Sequence, residues 1–160
     1  MIKNISKFLI LVVLLSCVPQ KIPSFVSDVN QILTPAQDQA LDMLYREHEK
    51  TTTNEIALCI IYDHYPEDEL RGYGLKLAQN IGVGKKKKNN GLFILFCYKC
   101  KRVEIYTGSN MANILKDDMT KSIIDTAMIP FFKQGEFYTG LMCGSKAIIA
   151  FLERPENKIN

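Results

Sequence analysis

Two short segments of this chain are apolar on both of their alternating faces, and they constrain the fold more than any other feature. Residues 55–62 read Glu-Ile-Ala-Leu-Cys-Ile-Ile-Tyr and residues 92–97 read Leu-Phe-Ile-Leu-Phe-Cys. A strand with one face in solvent alternates apolar and polar side chains, whereas a strand covered on both faces does not. Both segments are therefore predicted as central strands between layers of helices.

The remaining elements follow from turn lengths and helical periodicity. A third strand is expected at residues 103–107; the turn before it, at residues 99–101, is so short that it must join antiparallel neighbours. Apolar residues at helical spacing predict the helices, over residues 35–50, 66–80, 111–115, 118–131 and 136–153. This order predicts an α/β fold, a three-layer α/β/α sandwich with a small mixed β-sheet and a helical C-terminal half.

The N-terminus is typical of a targeting signal. Lys3 and Lys7 precede an apolar run at residues 8–15, far shorter than the roughly 20 residues that span a bilayer. Small Ser16 stands directly before Cys17, as in the lipobox of a bacterial lipoprotein. We therefore predict a lipoprotein signal peptide over residues 1–16 and lipidation of Cys17. The alternative is an ordinary signal peptide or short anchor with a buried cysteine.

The signal implies a lipid-anchored domain in the cell envelope, on the periplasmic or extracellular side of a bacterial membrane. Residues 17–27, with two prolines, are expected to form the lipidated start and an extended tether. One domain should cover residues 28–153, followed by a tail at residues 154–160. The chain has 20 basic and 17 acidic residues, and two of the lysines lie in the leader. This near balance argues against a nucleic-acid binder.

Polar loops are predicted to meet at one edge of the sheet. Since the strands at 92–97 and 103–107 run in opposite directions, the loop before the first lies beside the loop after the second. If strand 55–62 is parallel to strand 92–97, Asn54 and Glu55 face the same edge. The expected ligand edge consists of Asn89, Asn90, Gly91, Gly108, Ser109 and Asn110.

Several motifs, taken in order, resemble the TPM domain family. They are Val26-Ser27-Asp28, Ile81-Gly82, Asn90-Gly91-Leu92-Phe93-Ile94-Leu95, Arg102-Val103-Glu104-Ile105-Tyr106-Thr107-Gly108, Leu115-Lys116-Asp117 and residues 130–140. The resemblance spans about residues 26–153. It implies an α/β sandwich at a membrane surface. Acid phosphatase activity and divalent-cation binding are attributed to some members of the family, and others resemble assembly or accessory factors.

The chain departs from the family pattern at acidic positions. Asn89 stands where members often have aspartate, Ala112 where they often have glutamate, and Asn80 where they often have tryptophan. Hard divalent cations prefer anionic oxygen ligands. The remaining candidates for a weak site for Ca²⁺ or another divalent cation are Asp117, Asp118 and Asn90.

These acids also have a purely structural interpretation. Asp117, just before a predicted helix, is more often an N-cap than a ligand, and Asp118 in the first turn suits the helix dipole. Ser109 has no nucleophile-elbow pattern around it. Gly91 and Gly108 are interpreted as glycines that their turns require.

The other chemically active residues have similarly plain interpretations. His48 and His64 are expected at the surface. Cys97 and Cys100 lack a second pair at zinc-site spacing and do not open a helix, so a structural role is favoured and a bridge between them stays open. Residues 85–88, four lysines, form either a solvated loop or a patch attracted to anionic lipid or a phosphorylated partner.

Two functions follow as hypotheses. The first is a membrane-tethered accessory or adaptor module for an envelope complex, without a role in catalysis. The second is a weak divalent-cation-dependent acid phosphatase that uses the edge described above. A third hypothesis is that Ca²⁺ or another small ligand binds only for stability.

Overall fold

The computed structural model describes residues 24–85 and 87–159. The predicted signal peptide, Cys17 and the tether up to residue 23 lie outside this part of the chain. No helix in the described ranges is long and apolar enough to cross a membrane.

Four strands form one mixed sheet in the order β1-β2-β3-β4. Their bounds are β1 Val26–Asp28, β2 Glu55–Ile61, β3 Gly91–Cys97 and β4 Arg102–Thr107. The first three strands are parallel, and β4 pairs antiparallel with β3. The predicted α/β class, the mixed sheet and the hairpin are confirmed.

In the part of the chain that the structure describes, six α-helices accompany the sheet. They are α1 Pro35–Thr52, α2 Glu67–Ile81, α3 Ser109–Ala112, α4 Asp117–Ile123, α5 Ile129–Phe132 and α6 Phe137–Leu152. A π-helical turn, Ile124–Met128, joins α4 to α5, and a 3₁₀ turn, Pro155–Asn157, follows α6.

The helices cover both faces of the sheet. Tyr106 lies opposite Phe93 in the β3–β4 register, and on this face Gly74 of α2 packs so closely that a Cβ there would lie 2.3 Å from the Tyr106 hydroxyl oxygen. Phe96, three residues after Phe93, points to the other face. There its ring lies 4.9 Å from that of Phe132 in α5. The three layers predicted from the two apolar strands are therefore present.

Helix α1 begins as predicted and packs on α6. Thr34 caps the helix by accepting the N–H of Gln37, whose side chain accepts the Thr34 N–H in return, and Pro35 takes the first helical position. Further along, the hydroxyls of Tyr45 and Ser145 lie 2.7 Å apart, and both residues are fully buried. Burial raises the pKa of Tyr45, so this polar contact remains a neutral hydrogen bond.

The sheet begins earlier than the sequence predicts. Val26 and Ser27, assigned to the tether, instead form β1 with Asp28 and pair with residues 58–60 of β2. Buried Phe25 extends the contact, because its carbonyl accepts the Leu58 N–H at 2.8 Å. A strand of three residues is too short for an alternating pattern to reveal it.

The helix expected over residues 118–131 is not continuous. Pro130 cannot donate a backbone hydrogen bond. The segment just before it, Ile124–Met128, is a π-helical turn, in which hydrogen bonds join residues five positions apart instead of four. Gly144 of α6 packs against this turn, since a Cβ there would lie 2.1 Å from the terminal carbon of Met128. The break thus shapes the contact between the turn and α6.

Candidate functional site

The predicted meeting of polar loops occurs at the edge where β2 and β3 begin and β4 ends. Glu55 pairs with Gly91 across β2 and β3, and Leu92 pairs with Thr107 across the hairpin. The Gly108 N–H donates to the Gly91 carbonyl at 2.8 Å. We call the surface formed by residues 53–55, 84–85, 87–91 and 108–111 the polar edge.

Two loops of the polar edge touch through their backbones. The Met111 N–H donates to the Asn89 carbonyl at 3.4 Å, and the Asn110 side-chain amide donates to the Lys88 carbonyl at 2.7 Å. A Cβ on Gly108 would lie 2.4 Å from the Asn89 carbonyl oxygen. Glycine is needed at position 108 because two backbones approach closely there, and not for a left-handed turn, since its φ is −65°.

Asn90 is the centre of the polar edge, and its side chain is bonded to the protein on every side. It has no exposed surface. Its amide nitrogen donates to the Thr53 carbonyl at 2.8 Å and to the Asn54 side-chain oxygen at 3.1 Å, while its amide oxygen accepts the Lys85 N–H at 2.9 Å. Asn90 therefore ties the loop between α2 and β3 to the loop between α1 and β2, and its side chain is committed to this role.

An ion pair between a buried acid and an exposed lysine lies beside Asn90, and it was not predicted from the sequence. Glu55 is 6% exposed, and its carboxylate accepts the Gly84 N–H at 2.7 Å and the Lys85 ammonium at 2.5 Å. Glu49 of α1 contacts the same ammonium at 3.0 Å. The hydrogen bond to Glu55 raises the pKa of Lys85, so the cation persists at neutral pH. The sequence signal for this ion pair was Glu55, an acidic residue at the start of an otherwise apolar strand.

Asp117 and Asp118 form the first turn of α4, and both are exposed. The N-cap is Lys116, so the interpretation of Asp117 as the cap is wrong. Asp118 uses a carboxylate oxygen to accept the Met119 N–H at 2.8 Å, in the first turn as expected. Ser109 opens the short α3 and is exposed, as is Asn89.

The donor set does not fit a hard divalent cation. Such an ion takes six to eight oxygen ligands with anionic charge among them. The side-chain amide of Asn90 is already hydrogen-bonded to protein groups, and the negative charge of Glu55 is balanced by Lys85. Among residues 24–85 and 87–159, no group of three or more His, Cys, Asp or Glu side chains could hold a metal ion. The predicted cation site thus has no assembled ligand shell here.

His48 was expected at the surface, and this expectation is wrong. It is 2% exposed, and its Nδ1 lies 3.2 Å from a carboxylate oxygen of Glu153. Its Nε2 is buried, and among residues 24–85 and 87–159 it has no hydrogen-bond partner. The reason is the contact between the ends of α1 and α6, which helical periodicity in α1 alone does not reveal. His64 is exposed, as predicted.

A cavity of about 490 Å³ opens next to Glu153. Its lining comes from the end of α1, the end of α6 and the segment after α6, and consists of Thr51, Thr52, Asn54, Leu152, Glu153, Lys158 and Ile159. Asn54 is 2% exposed and joins this cavity to Asn90 through the amide contact described above. The polar edge therefore continues into a concave surface.

These features define a small α/β domain whose polar loops gather where its parallel strands begin. The chain belongs to the TPM domain family, whose profile matches residues 26–151. The family predicted from the ordered motifs is confirmed.

Solved structures share the fold of this chain. The solution structure of the N-terminal domain of a P. gingivalis protein is 29% identical, with a TM-score of 0.73 over 86% of this chain and 87% of that chain. The BA42 protein of Bizionia argentinensis is 23% identical, with a TM-score of 0.67 over 78% of this chain and 84% of that chain.

A more distant structure shares the fold alone. The N-terminal domain of the cg2496 protein of Corynebacterium glutamicum is 12% identical, with a TM-score of 0.61 over 85% of this chain and 84% of that chain. Among curated proteins, no significant match was found.

Replacing Asn90 tests its role in joining the loops. Asn90→Ala leaves the Lys85 N–H and the Thr53 carbonyl without their partner, and we expect a loss of about 1–3 kcal/mol in the free energy of unfolding. Denaturant unfolding measures it. Asn113→Ala, at an exposed position, is the matched control and should change stability by less than about 0.5 kcal/mol. Equal effects of the two substitutions would contradict the structural role of Asn90.

The buried histidine predicts a pH dependence. Burial lowers the pKa of His48 below its ordinary value of 6.5, although Glu153 acts in the opposite direction. The unfolded chain then binds the proton more readily than the folded one, so stability is complete above pH 6.5 and falls as the pH decreases below it.

When the pH is lowered from about 7 to 5, we expect the melting temperature of His48→Gln to fall less than that of the unmodified chain. Thermal unfolding at several pH values measures this slope. His64→Gln, at an exposed position, serves as the control and should keep the slope of the unmodified chain. An unchanged slope in His48→Gln would show that other groups dominate in this range.

Proposed function

We propose that this chain is a lipid-tethered accessory module of the bacterial cell envelope, with an adaptor role toward an envelope partner. The observation that carries the proposal is that the polar groups of the polar edge are bonded to one another. Asn90 is committed to three loop contacts, and Glu55 is committed to Lys85 and Gly84. Groups held in this way fix the shape of a surface rather than bind a reacting phosphate.

The direction of β1 supports a defined orientation at the membrane. Because β1 is parallel to β2, the chain enters the sheet on the side of the polar edge. If Cys17 carries the lipid, the segment up to Ser24 spans at most about 25 Å. The polar edge then lies near the lipid headgroups, and the turn of the β3–β4 hairpin points away from them.

Charge at the polar edge is compatible with this orientation. Lys87 is exposed, while Lys85 is neutralised by Glu49 and Glu55. A lysine near an anionic membrane contributes about 1 kcal/mol of attraction. The lysine segment therefore adds to a lipid anchor but does not replace it.

A metal-dependent phosphatase is the alternative function. It would need the carboxylates of Asp117 and Asp118 to join the amide of Asn90 around one cation. Instead, Asn90 is fully buried and bonded to the protein, while both aspartates are exposed in the first turn of α4. The accessory role is the better supported of the two.

The tether is tested by changing the lipidated residue. Cys17→Ser removes the thiol that would carry the lipid, so the protein should leave the membrane fraction or remain unprocessed. Fractionation and the mass of the mature chain measure this result. Cys143→Ser, which changes a cysteine inside α6, is the control. Unchanged processing and membrane retention in Cys17→Ser would refute the lipoprotein assignment.

The alternative is tested by calorimetric titration with Ca²⁺, Mg²⁺ and Mn²⁺. The full-length Cys17→Ser chain should show no micromolar binding, and the additional change Asp117→Asn/Asp118→Asn should leave the melting temperature in each metal unchanged. Micromolar binding that disappears in this variant would support the phosphatase and justify assays with phosphate esters.

A further inference from the structure

The turn of the β3–β4 hairpin contains a disulfide between Cys97 and Cys100. It lies at the end of β3, on the side of the sheet opposite to the polar edge. Cys97 is fully buried, whereas Cys100 is partly exposed. A thiol from solvent therefore meets the bridge at the sulfur of Cys100.

Both sulfurs face backbone N–H groups. The Tyr65 N–H donates to Cys100 Sγ at 3.3 Å, and the Cys100 N–H donates to Cys97 Sγ at 3.3 Å. Donors of this kind stabilise negative charge on sulfur. The carbonyl oxygen of Asp63 lies 3.1 Å from Cys97 Sγ, where it can accept a thiol proton in the reduced form.

A helix start lies beside the bridge, although the cysteines do not themselves open a helix. Tyr65 leads directly into α2, which begins at Glu67. The positive end of the helix dipole favours a thiolate nearby. The acidic first turn of α2, formed by Glu67, Asp68 and Glu69, weakens this effect, and Arg102 offsets one of these charges by pairing with Glu67 at 3.0 Å.

The hairpin does not depend on the bridge for its shape. Cys97 already pairs with Arg102 in the β3–β4 ladder, and the Lys101 N–H donates to the Tyr98 carbonyl at 3.2 Å. The cysteines are three positions apart. In the chain-entropy account the stabilisation by a disulfide grows with the loop that it closes, so this bridge constrains the unfolded chain little.

Aromatic side chains lie at the same end of the sheet as the bridge. Tyr62 stacks on Tyr98 with ring centroids 5.6 Å apart, and the Lys99 ammonium lies 4.7 Å from the centre of the Tyr62 ring. Tyr62 is 38% exposed. Tyrosine side chains combine a rigid aromatic ring with a polar hydroxyl, and they are enriched at protein–protein interfaces.

We propose that the Cys97–Cys100 pair is a thiol–disulfide exchange site, with Cys100 as the sulfur that is attacked. A thiolate of a thiol or dithiol partner bonds to Cys100 Sγ, the S–S bond breaks, and Cys97 leaves as a thiolate that takes up a proton. A second partner thiolate attacks the partner's sulfur in the mixed disulfide and releases Cys100 as a thiolate. The partner loses two electrons and becomes a disulfide, and Cys97 and Cys100 gain these electrons and become a dithiol.

The test compares cysteines within one chain by their reaction with oxidised glutathione at pH 7. In the full-length Cys17→Ser/Cys97→Ser chain, we expect Cys100 to form the mixed disulfide about tenfold faster than Cys143, because the Tyr65 N–H stabilises its thiolate and its sulfur is accessible. Peptide mass spectrometry follows each site. In the matched Cys17→Ser/Cys100→Ser chain, buried Cys97 should react more slowly than Cys143. Modification of Cys100 no faster than Cys143 would overturn the proposal.

A second measurement avoids any dependence on the folding of the serine variants. The Cys17→Ser chain with both cysteines intact is equilibrated in glutathione buffers of increasing reducing strength. We expect reversible conversion to the dithiol with an unchanged far-UV circular dichroism spectrum. Unfolding on reduction, or a bridge that stays oxidised even in excess dithiothreitol, would identify a structural disulfide instead.

Discussion

The rest of the structure depends on the parallel pairing of β2 with β3, from Glu55 opposite Gly91 to Ile61 opposite Cys97. Every residue of β3 is buried. Its backbone polar groups must therefore find partners within the sheet, and its side chains need cover on both faces. Helix α2 supplies one layer, and α1 with the helical C-terminal half supplies the other. The neighbouring strands β1 and β4 follow from the same requirement, since they complete the ladder on either side.

This pairing also explains the polar edge. Since Glu55 is the first residue of β2, its carboxylate is carried to the rim of the core, where an unpaired charge would be costly. Lys85 neutralises it, and Asn90 ties the Lys85 backbone to residues 53 and 54. The backbones pack so tightly that a Cβ on Gly91 would lie 2.1 Å from the Val83 carbonyl oxygen. The loops of the polar edge are thus held together by hydrogen bonds and by the Glu55–Lys85 ion pair.

The sequence predicted what local pattern controls, and it missed what tertiary packing controls. The central strands, the hairpin and the meeting of loops 89–91 and 108–110 all followed from apolar runs and turn length. The three-residue β1 carries no pattern, and the burial of His48 depends on where α6 ends. The Glu55–Lys85 pair joins residues thirty positions apart, a separation at which no periodicity operates. Asp117 and Asp118 were correctly placed at a helix start, but no sequence rule could say whether they face Asn90.

The two ends of the parallel strands carry different chemistry, because the shared strand direction gathers the residues that precede β2 and β3 at one end and those that follow them at the other. Where the strands begin, charge and amide groups are paired with one another, and β1 enters the sheet from that side. Where β3 ends, Tyr62 and Tyr98 leave aromatic surface beside the partly exposed sulfur of Cys100. The proposed lipid tether at the first end would direct the second end away from the membrane. The side with accessible reactive atoms is then the side that a partner in the envelope would meet.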